Sequence, residues 1–149
     1  MFFNDLKIGM SVEIAPAVIE KQKMLDFART YDNIPLHTDE EYAKASPFGQ
    51  LIAPGVMSFM SVWAKYLEVD FFGKELLAGK STRIEWHKPV YASDVLQGKA
   101  VITRLVPRNP RNGLVEITIE AYNQSGIHVL SNVTEAIVKC RTTGTVIRR

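Results

Sequence analysis

Residues 54–67 form an almost uninterrupted apolar stretch behind a Pro-Gly pair, and they read Pro54-Gly55-Val56-Met57-Ser58-Phe59-Met60-Ser61-Val62-Trp63-Ala64-Lys65-Tyr66-Leu67. A helix with so little polar surface is usually buried on all sides in the core of a protein. No Ser, Thr, Asp or Asn stands directly before it as a cap. We therefore expect a central helix from Val56 to Leu67, with the remainder of the chain packed around it.

The sequence after this stretch changes to the two-residue period of β-strands. Residues 115–120 alternate between apolar and polar side chains, as a sheet with one solvated face requires. Turn residues at 109–113 and 123–126 fit hairpin loops. Four long antiparallel strands are predicted, from Leu77 to Trp86, Val95 to Val106, Leu114 to Tyr122 and Val129 to Cys140. The economical packing is an α+β arrangement in which this sheet curls around the apolar helix.

The first part of the chain predicts one early strand and two short helices. Apolar residues recur at helical spacing from Lys21 to Tyr31, and this helix should end near Asp32 because Pro35 disfavours a helical conformation at the residue before it. Residues 38–41 fit a capping box, in which Thr38 starts a second helix that ends near Ala45. Since no repeat or linker interrupts the sequence, we expect a single domain over residues 1–149.

Composition excludes several classes of function. Hydrophobic residues make up 46% of the 149 residues and charged residues 23%, as in an ordinary domain with a core. A net charge of +2 is too small to predict a nucleic-acid partner. Cys140 is the single cysteine, so an intrachain disulfide is impossible and a core thiol at a strand end is expected. No signal-peptide pattern or bilayer-length apolar run is present, so we expect a cytoplasmic protein without a membrane partner.

An aspartate and a histidine lie five residues apart in the segment Asp32-Asn33-Ile34-Pro35-Leu36-His37. An imidazole titrates near neutral pH whereas a carboxylate stays ionised, so the two groups together can accept and donate protons. On this spacing alone the plainer interpretation is preferred, in which Asp32 caps a helix and His37 lies in a polar loop.

The start of the apolar helix changes that balance. The first amides of a helix lack intrahelical partners and carry the positive end of its dipole. Gly55 lets a ligand approach the backbone, and Pro54 stiffens the entry to the helix. A helix start of this kind can bind a developing oxyanion, such as a thioester enolate. Together with the Asp32 and His37 pair, it favours a catalytic site.

These motifs resemble the MaoC-like or hydratase-2 family, whose members are (R)-specific enoyl-CoA hydratases and hydroxyacyl dehydratases with the hot-dog fold. The resemblance covers roughly residues 6–139. It rests on Asp32, Pro35, His37, Asp39, Tyr42-Ala43, Phe48-Gly49, Ile52-Ala53 and Gly55, with further matches at Leu6-Lys7-Ile8-Gly9, Lys88-Pro89-Val90-Tyr91 and Asp94. It implies a single hot-dog fold.

The resemblance also implies the roles of the site residues. Asp32 and His37 correspond to the catalytic pair, and the Gly55 amide corresponds to the oxyanion donor. The substrate is then an acyl thioester, of CoA rather than of acyl carrier protein, and no cofactor is required because the thioester acidifies its own α-carbon. Hot-dog relatives pair two sheets edge to edge and form the substrate tunnel between them, so a homodimer or a multiple of one is expected.

Three positions depart from the family pattern. Ile34 stands where an asparagine is usual, Pro54 stands where a histidine is frequent, and Ser93 replaces the glycine before Asp94. None of the three removes the acid–base pair, but the missing asparagine changes the hydrogen bonding around it.

The acyl chain is predicted to follow one face of the central helix. Gly55, Phe59 and Trp63 are four residues apart, so they share a face that begins at the oxyanion site. Trp63 would close the tunnel and Phe59 would narrow it, with Phe48 and Pro54 completing the predicted substrate-binding set. The equally favoured alternative is that Trp63 packs against the sheet and never meets substrate.

Two other functions remain open at this point. A hot-dog thioesterase would direct water at the carbonyl carbon, and a non-catalytic subunit would bind an acyl thioester with a silent pair. His87 and His128 are expected at the rim or surface, and no metal site is predicted. The arginines at 104, 108 and 111 fit a solvated hairpin tip better than a phosphate clamp.

Overall fold

The protein consists of five β-strands and four α-helices in a computed structural model that describes residues 1–142. In chain order they are β1 (Ser11–Val18), α1 (Lys21–Tyr31), α2 (Pro35–Thr38), α3 (Glu40–Ala45), α4 (Gly55–Glu68), β2 (Leu76–Trp86), β3 (Val95–Asn109), β4 (Asn112–Tyr122) and β5 (His128–Lys139). The early strand and all four long strands are confirmed, the latter within three residues of their expected bounds. No helix within the described residues has both the length and the apolar character needed to cross a membrane.

The strands form one antiparallel sheet in the order β1-β3-β4-β5-β2. Strand β4 follows its alternating sequence, because Val115, Ile117 and Ile119 are buried in the core while the residues between them are partly exposed. A tight hairpin joins β3 to β4, and Cys140 is buried directly after β5, as expected of a core thiol. The curled sheet and its helix confirm the predicted α+β fold.

Helix α4 packs on the inner face of the sheet, mainly against β1 and β3. The expectation that it is buried on all sides is wrong. Val56, Met60 and Leu67 are 48%, 46% and 50% exposed, and they form one apolar strip that we call the α4 stripe. One sheet covers only one side of a helix, so the other side of α4 faces solvent in a single chain. The α4 stripe is therefore apolar surface that the chain itself does not cover.

The start of helix α3 also differs from the prediction. Its N-cap is Asp39, whose carboxylate accepts a hydrogen bond at 3.1 Å from an amide in the first turn of α3. Thr38 belongs to the preceding turn α2, where its hydroxyl donates to the Ile34 carbonyl at 3.1 Å. Pro35 explains the difference, because its fixed φ favours the first position of a helix, where no N–H is needed. The predicted loop is therefore a short helical turn, and it contains His37.

Strand β2 forms one edge of the sheet and is exposed along nearly its whole length. An exposed edge presents unpaired backbone groups to which another chain can bind. The α4 stripe and the β2 edge thus leave two kinds of surface uncovered in a single chain, one apolar and one hydrogen-bonding.

The turn before β3 holds a serine in an unfavourable backbone conformation. Ser93 has a φ of 70°, in the left-handed region that glycine adopts without strain. The next residue, Asp94, is buried, and its carboxylate accepts hydrogen bonds from the Tyr91 amide and the Gln124 side chain, both at 2.9 Å. These bonds fix the turn, so the departure from glycine at this position carries a conformational cost.

Replacing this serine should stabilise the protein. Ser93→Gly removes the left-handed penalty, and we expect the free energy of unfolding to rise by roughly 1 kcal/mol in urea denaturation. Ser125→Gly is the matched control, because Ser125 lies in another exposed turn with an ordinary negative φ and should gain nothing. A Ser93→Gly protein that unfolds at the same urea concentration as wild type would contradict the assigned strain.

Candidate active site

Asp32 and His37 meet because two short helices follow each other closely. Helix α1 ends with Asp32 as its C-cap residue, whose amide donates to the Ala28 carbonyl at 2.9 Å. Ile34 is extended, as a residue before proline should be, and α2 begins at Pro35. This change of direction brings Oδ2 of Asp32 to 3.2 Å from Nε2 of His37. The two predicted residues are therefore in direct contact.

The hydrogen-bond partners of His37 define its protonation pattern. Nδ1 of this buried ring lies 2.7 Å from the Ile52 carbonyl oxygen, which can only accept, so Nδ1 carries the hydrogen. Nε2 then faces Asp32, whose side chain is 43% exposed. The contact thus joins an imidazole that the backbone holds at Nδ1 to a carboxylate that solvent can reach.

The Ile52 backbone links this pair to the start of α4. Its carbonyl accepts the bond from His37, and its amide donates to a carbonyl of α2 at 3.2 Å. Ala53 donates to the Val90 carbonyl at 2.7 Å, which fixes the segment from the opposite side. Since Gly55 comes three residues after Ile52, the chain between them spans at most about 10 Å.

The N-terminus of α4 presents free backbone donors. Its first helical bond runs from the Ser58 amide to the Pro54 carbonyl at 3.0 Å, so the three preceding amides lack intrahelical partners. The indole of Trp86 lies directly over Gly55, where a Cβ atom would be 2.5 Å from Cε2 of the ring. Glycine is therefore the residue that allows this approach, and its amide stands at the positive end of the helix dipole.

A pocket of about 250 Å³ opens beside this helix terminus. Its lining includes Phe48, Ile52, Gly55, Ser58, Trp86 and Lys88. Most of the lining is apolar, while the backbone and side-chain groups at one end are hydrogen-bond donors. Among residues 1–142, Asp32 and His37 do not line the pocket themselves and adjoin it through Ile52.

The predicted substrate-binding residues lie in different places. Phe48 lines the pocket next to Gly55. Pro54 is buried at the N-cap of α4, and Phe59 is buried in the core. Trp63 is half-buried and lines a second cavity, of about 130 Å³, beneath the C-terminal end of the helix. The structure thus groups Phe48 with the oxyanion donor and puts Trp63 at the other end of α4.

Trp63 belongs to a cluster of aromatic rings on α4. Its ring centroid lies 5.7 Å from that of Phe59 and 4.9 Å from that of Tyr66. Burial raises the pKa of Tyr66 to about 12, because an apolar environment disfavours the phenolate. The cavity beside Trp63 is therefore a weakly polar space, suited to hydrocarbon rather than to a charged group.

Two pocket residues were missed by sequence reasoning. Ser58 is three residues after Gly55, and this spacing on a helix could have identified it as a neighbour on the same face. Trp86 lies at the end of a strand remote in sequence, and no local pattern indicates that its ring covers Gly55.

Neither of the other two histidines belongs to the pair, but His87 lines the pocket beside Gly55. His87 and His128 stack with ring centroids 4.4 Å apart, and Nε2 of His128 lies 2.6 Å from a Glu120 carboxylate oxygen. No group of three potential metal ligands occurs in the described part of the chain. Arg104 is bound to Glu116 and Glu135 on the sheet, so it is engaged within the protein.

Residues 4–124 match the family model described as a MaoC like domain. The chain belongs to this family. It is 29% identical to the 3-hydroxybutyryl-CoA dehydratase of Methylorubrum extorquens, over 74% of this chain and 69% of that protein. It is 27% identical to the (R)-specific enoyl-CoA hydratase of Rhodospirillum rubrum, over 71% of this chain and 72% of that protein. The solved MaoC-like dehydratase of Rhodospirillum rubrum matches with a TM-score of 0.83 at 26% identity, over 96% of this chain and 99% of that chain.

Membership in the MaoC-like family confirms the resemblance inferred from the motifs, and the hot-dog fold with it. The matched residues include Asp32, His37 and Gly55, whereas strand β5 follows the match. The relatives include a hydratase and a dehydratase, so the family is one of hydration and dehydration chemistry.

Proposed function

We propose that this MaoC-like protein hydrates an enoyl thioester to the (R)-3-hydroxyacyl thioester, or catalyses the reverse dehydration. The observation that carries the proposal is the 3.2 Å contact between Asp32 and His37, anchored by the 2.7 Å bond to Ile52 close to Gly55. The reaction needs proton transfer at the acyl chain and stabilisation of charge on the thioester oxygen. A carboxylate and an imidazole in contact, close to free helix amides, suit both requirements.

In hydration, Asp32 binds the attacking water and His37 acts as the acid. One water proton passes to the carboxylate as oxygen bonds to Cβ, while the proton on Nε2 passes to Cα. The Gly55 amide stabilises the charge that develops on the thioester oxygen, a contribution on the order of 3 kcal/mol. Asp32 is then protonated and His37 neutral, and a proton transfer across their contact restores the starting state. Dehydration uses the same steps in reverse.

The substrate we propose is a CoA thioester, and no cofactor takes part because the thioester carbonyl acidifies Cα. Both named relatives are described by CoA substrates, which supports CoA over acyl carrier protein. Lys88, an exposed residue in the pocket lining, offers a cation to the phosphates of CoA.

Removing either member of the pair should abolish hydration of crotonyl-CoA. We expect Asp32→Asn and His37→Ala each to lower kcat by roughly 10²- to 10⁴-fold, because each removes a proton-transfer group. The double variant should be little worse than either single variant, since the two act as a unit. The measurement is loss of enoyl absorbance, with Asp26→Asn, at an exposed position of α1, as a control that keeps the activity.

The same assay separates the remaining functions. Loss of enoyl absorbance without release of thiol supports hydration, whereas release of thiol indicates a thioesterase. Binding of crotonyl-CoA without either change indicates a non-catalytic subunit. An Asp32→Asn protein with most of the wild-type rate would show that the proposed mechanism is wrong.

We also propose a homodimer, or a multiple of one, in which the uncovered surfaces of one chain meet those of another. Light scattering of active protein at micromolar concentration should give at least twice the chain mass. Met60→Lys puts a charge in the α4 stripe and should shift the protein toward monomer, because a buried unpaired charge is costly. Val18→Lys, on exposed β1, should leave the mass unchanged. A monomer mass for active wild type overturns the proposal.

The acyl chain, in this proposal, extends from Gly55 along α4 toward Trp63. Trp63 is the eighth residue after Gly55, which corresponds to a distance of about 12 Å along the helix axis. Trp63→Ala should therefore open the way to the 130 Å³ cavity and shift kcat/KM toward longer chains, by roughly 0.8 kcal/mol for each methylene that becomes buried. A chain-length series from C4 to C12 measures this. An unchanged preference in a stable variant would assign Trp63 to core packing alone.

A further inference from the structure

Helix α4 carries two serines whose side chains are held differently. Both hydroxyls point at the carbonyl four residues earlier, but the Ser61 bond to the Met57 carbonyl is 2.8 Å long and the Ser58 bond to the Pro54 carbonyl is 3.4 Å. Hydroxyl donors usually approach oxygen to 2.7–2.8 Å, so the Ser61 bond is normal and the Ser58 bond is weak.

The weakly held hydroxyl is also deeply buried. Ser58 is 1% exposed, so solvent does not supplement this long hydrogen bond. A buried hydroxyl without a good partner is unfavourable unless another group supplies the bond. Ser58 lines the pocket beside Gly55, so a ligand in that pocket can supply it.

The position of Ser58 on the helix directs its hydroxyl toward the oxyanion donor. Residues three apart share a helix face, and the Cα–Cβ bond of each residue tilts toward the N-terminus. The Ser58 side chain thus lies over the turn that begins at Gly55, where the free amides are. The pocket lining therefore includes both a residue with a free backbone N–H and a residue with a side-chain hydroxyl.

We propose that the Ser58 hydroxyl donates a second hydrogen bond to the thioester carbonyl oxygen, beside the Gly55 amide. The inference rests on the proposed function, and it adds a side chain to a donor set otherwise made of backbone. No proton leaves Ser58 in the reaction. Its bond strengthens as negative charge gathers on the carbonyl oxygen, because hydrogen bonds to charged acceptors are roughly twice as strong as neutral ones. Ser58 therefore assists the chemical step more than ground-state binding.

Two matched variants test this role. Ser58→Ala should lower kcat for crotonyl-CoA by roughly a hundred- to a thousandfold, as expected for loss of one oxyanion donor, while KM changes little. Ser61→Ala, on the same helix but outside the pocket lining, should keep the wild-type kcat. Alanine is a better helix former than serine, so both variants should fold with melting temperatures at or above that of wild type.

A spectroscopic measurement makes the test independent of turnover. Butyryl-CoA, which has no double bond to hydrate, can be labelled with carbon-13 at the carbonyl and bound to the protein. Its carbonyl stretch should lie at lower frequency in wild type and in Ser61→Ala than in Ser58→Ala, because a hydrogen-bond donor weakens the C=O bond.

Each outcome decides one of the two proposals. Equal kcat and equal carbonyl frequency in Ser58→Ala and Ser61→Ala overturn the role of Ser58 and leave the hydratase assignment intact. A wild type that binds butyryl-CoA but never hydrates crotonyl-CoA overturns the proposed function. In that case a lower carbonyl frequency in wild type than in Ser58→Ala would still assign Ser58 as a donor to the bound carbonyl. Equal frequencies would overturn that role as well.

Discussion

Burial of one face of α4 against the sheet is the constraint on which the rest of the molecule depends. Large apolar side chains such as Phe59 and Val62 each gain roughly 1.5–3 kcal/mol when they leave water, so this contact fixes the helix axis. A fixed axis determines where both ends of the helix lie. The free amides at Gly55 then lie beside the Ile52 segment, which links them to Asp32 and His37. Trp63 lies beside the cavity at the other end of the helix.

The same constraint explains why one side of α4 is uncovered in a single chain. A sheet of one layer covers one side of α4, which leaves Val56, Met60 and Leu67 in solvent. In our proposal one helix therefore serves two surfaces, with its donors facing the pocket and its apolar stripe facing a second chain. Association would then restrict the motion of the helix that holds the oxyanion donors, and assembly and catalysis would share one structural element.

Much of the fold was predictable because it depends on local periodicity. The alternation at Val115 and Ile117 follows from a sheet with one dry face, and the strand bounds follow from the turn residues between them. The burial of α4 was not predictable, since sequence shows that a helix is apolar but not how many partners surround it. The predicted N-cap of α3 was wrong for a different reason. Thr38 and Asp39 are both chemically suitable caps, and the helical turn that begins at Pro35 includes Thr38 and leaves Asp39 as the cap.

In the candidate site, too, some features could be predicted from local sequence and others could not. The spacing of Asp32 and His37 alone favoured a structural role, and the two were predicted as a catalytic pair only together with the helix start at Gly55 and the family resemblance. The geometry of the pair could not be predicted, because it depends on a hydrogen bond to the Ile52 carbonyl. Every residue has a backbone carbonyl, so the sequence does not indicate which one binds the imidazole. Trp86 was missed for the related reason that its contact with Gly55 joins segments far apart in the chain.

Backbone hydrogen bonds also account for the departures from the family pattern. At Ile34, where the family usually has asparagine, the amide donates to the Asp32 carbonyl at 2.9 Å and the carbonyl accepts the His37 amide at 3.0 Å. The turn that brings the pair together is thus closed by main-chain groups, which any side chain at this position supplies. Pro54 likewise contributes a carbonyl to the first bond of α4, at a position where an N–H is not needed. The imidazole is held at Nδ1 by a backbone carbonyl and contacts Asp32 through Nε2, while the carboxylate is partly open to solvent. In our proposal this asymmetry suits a base that binds water and an acid that protonates carbon, and neither feature uses the side chain of Ile34 or Pro54.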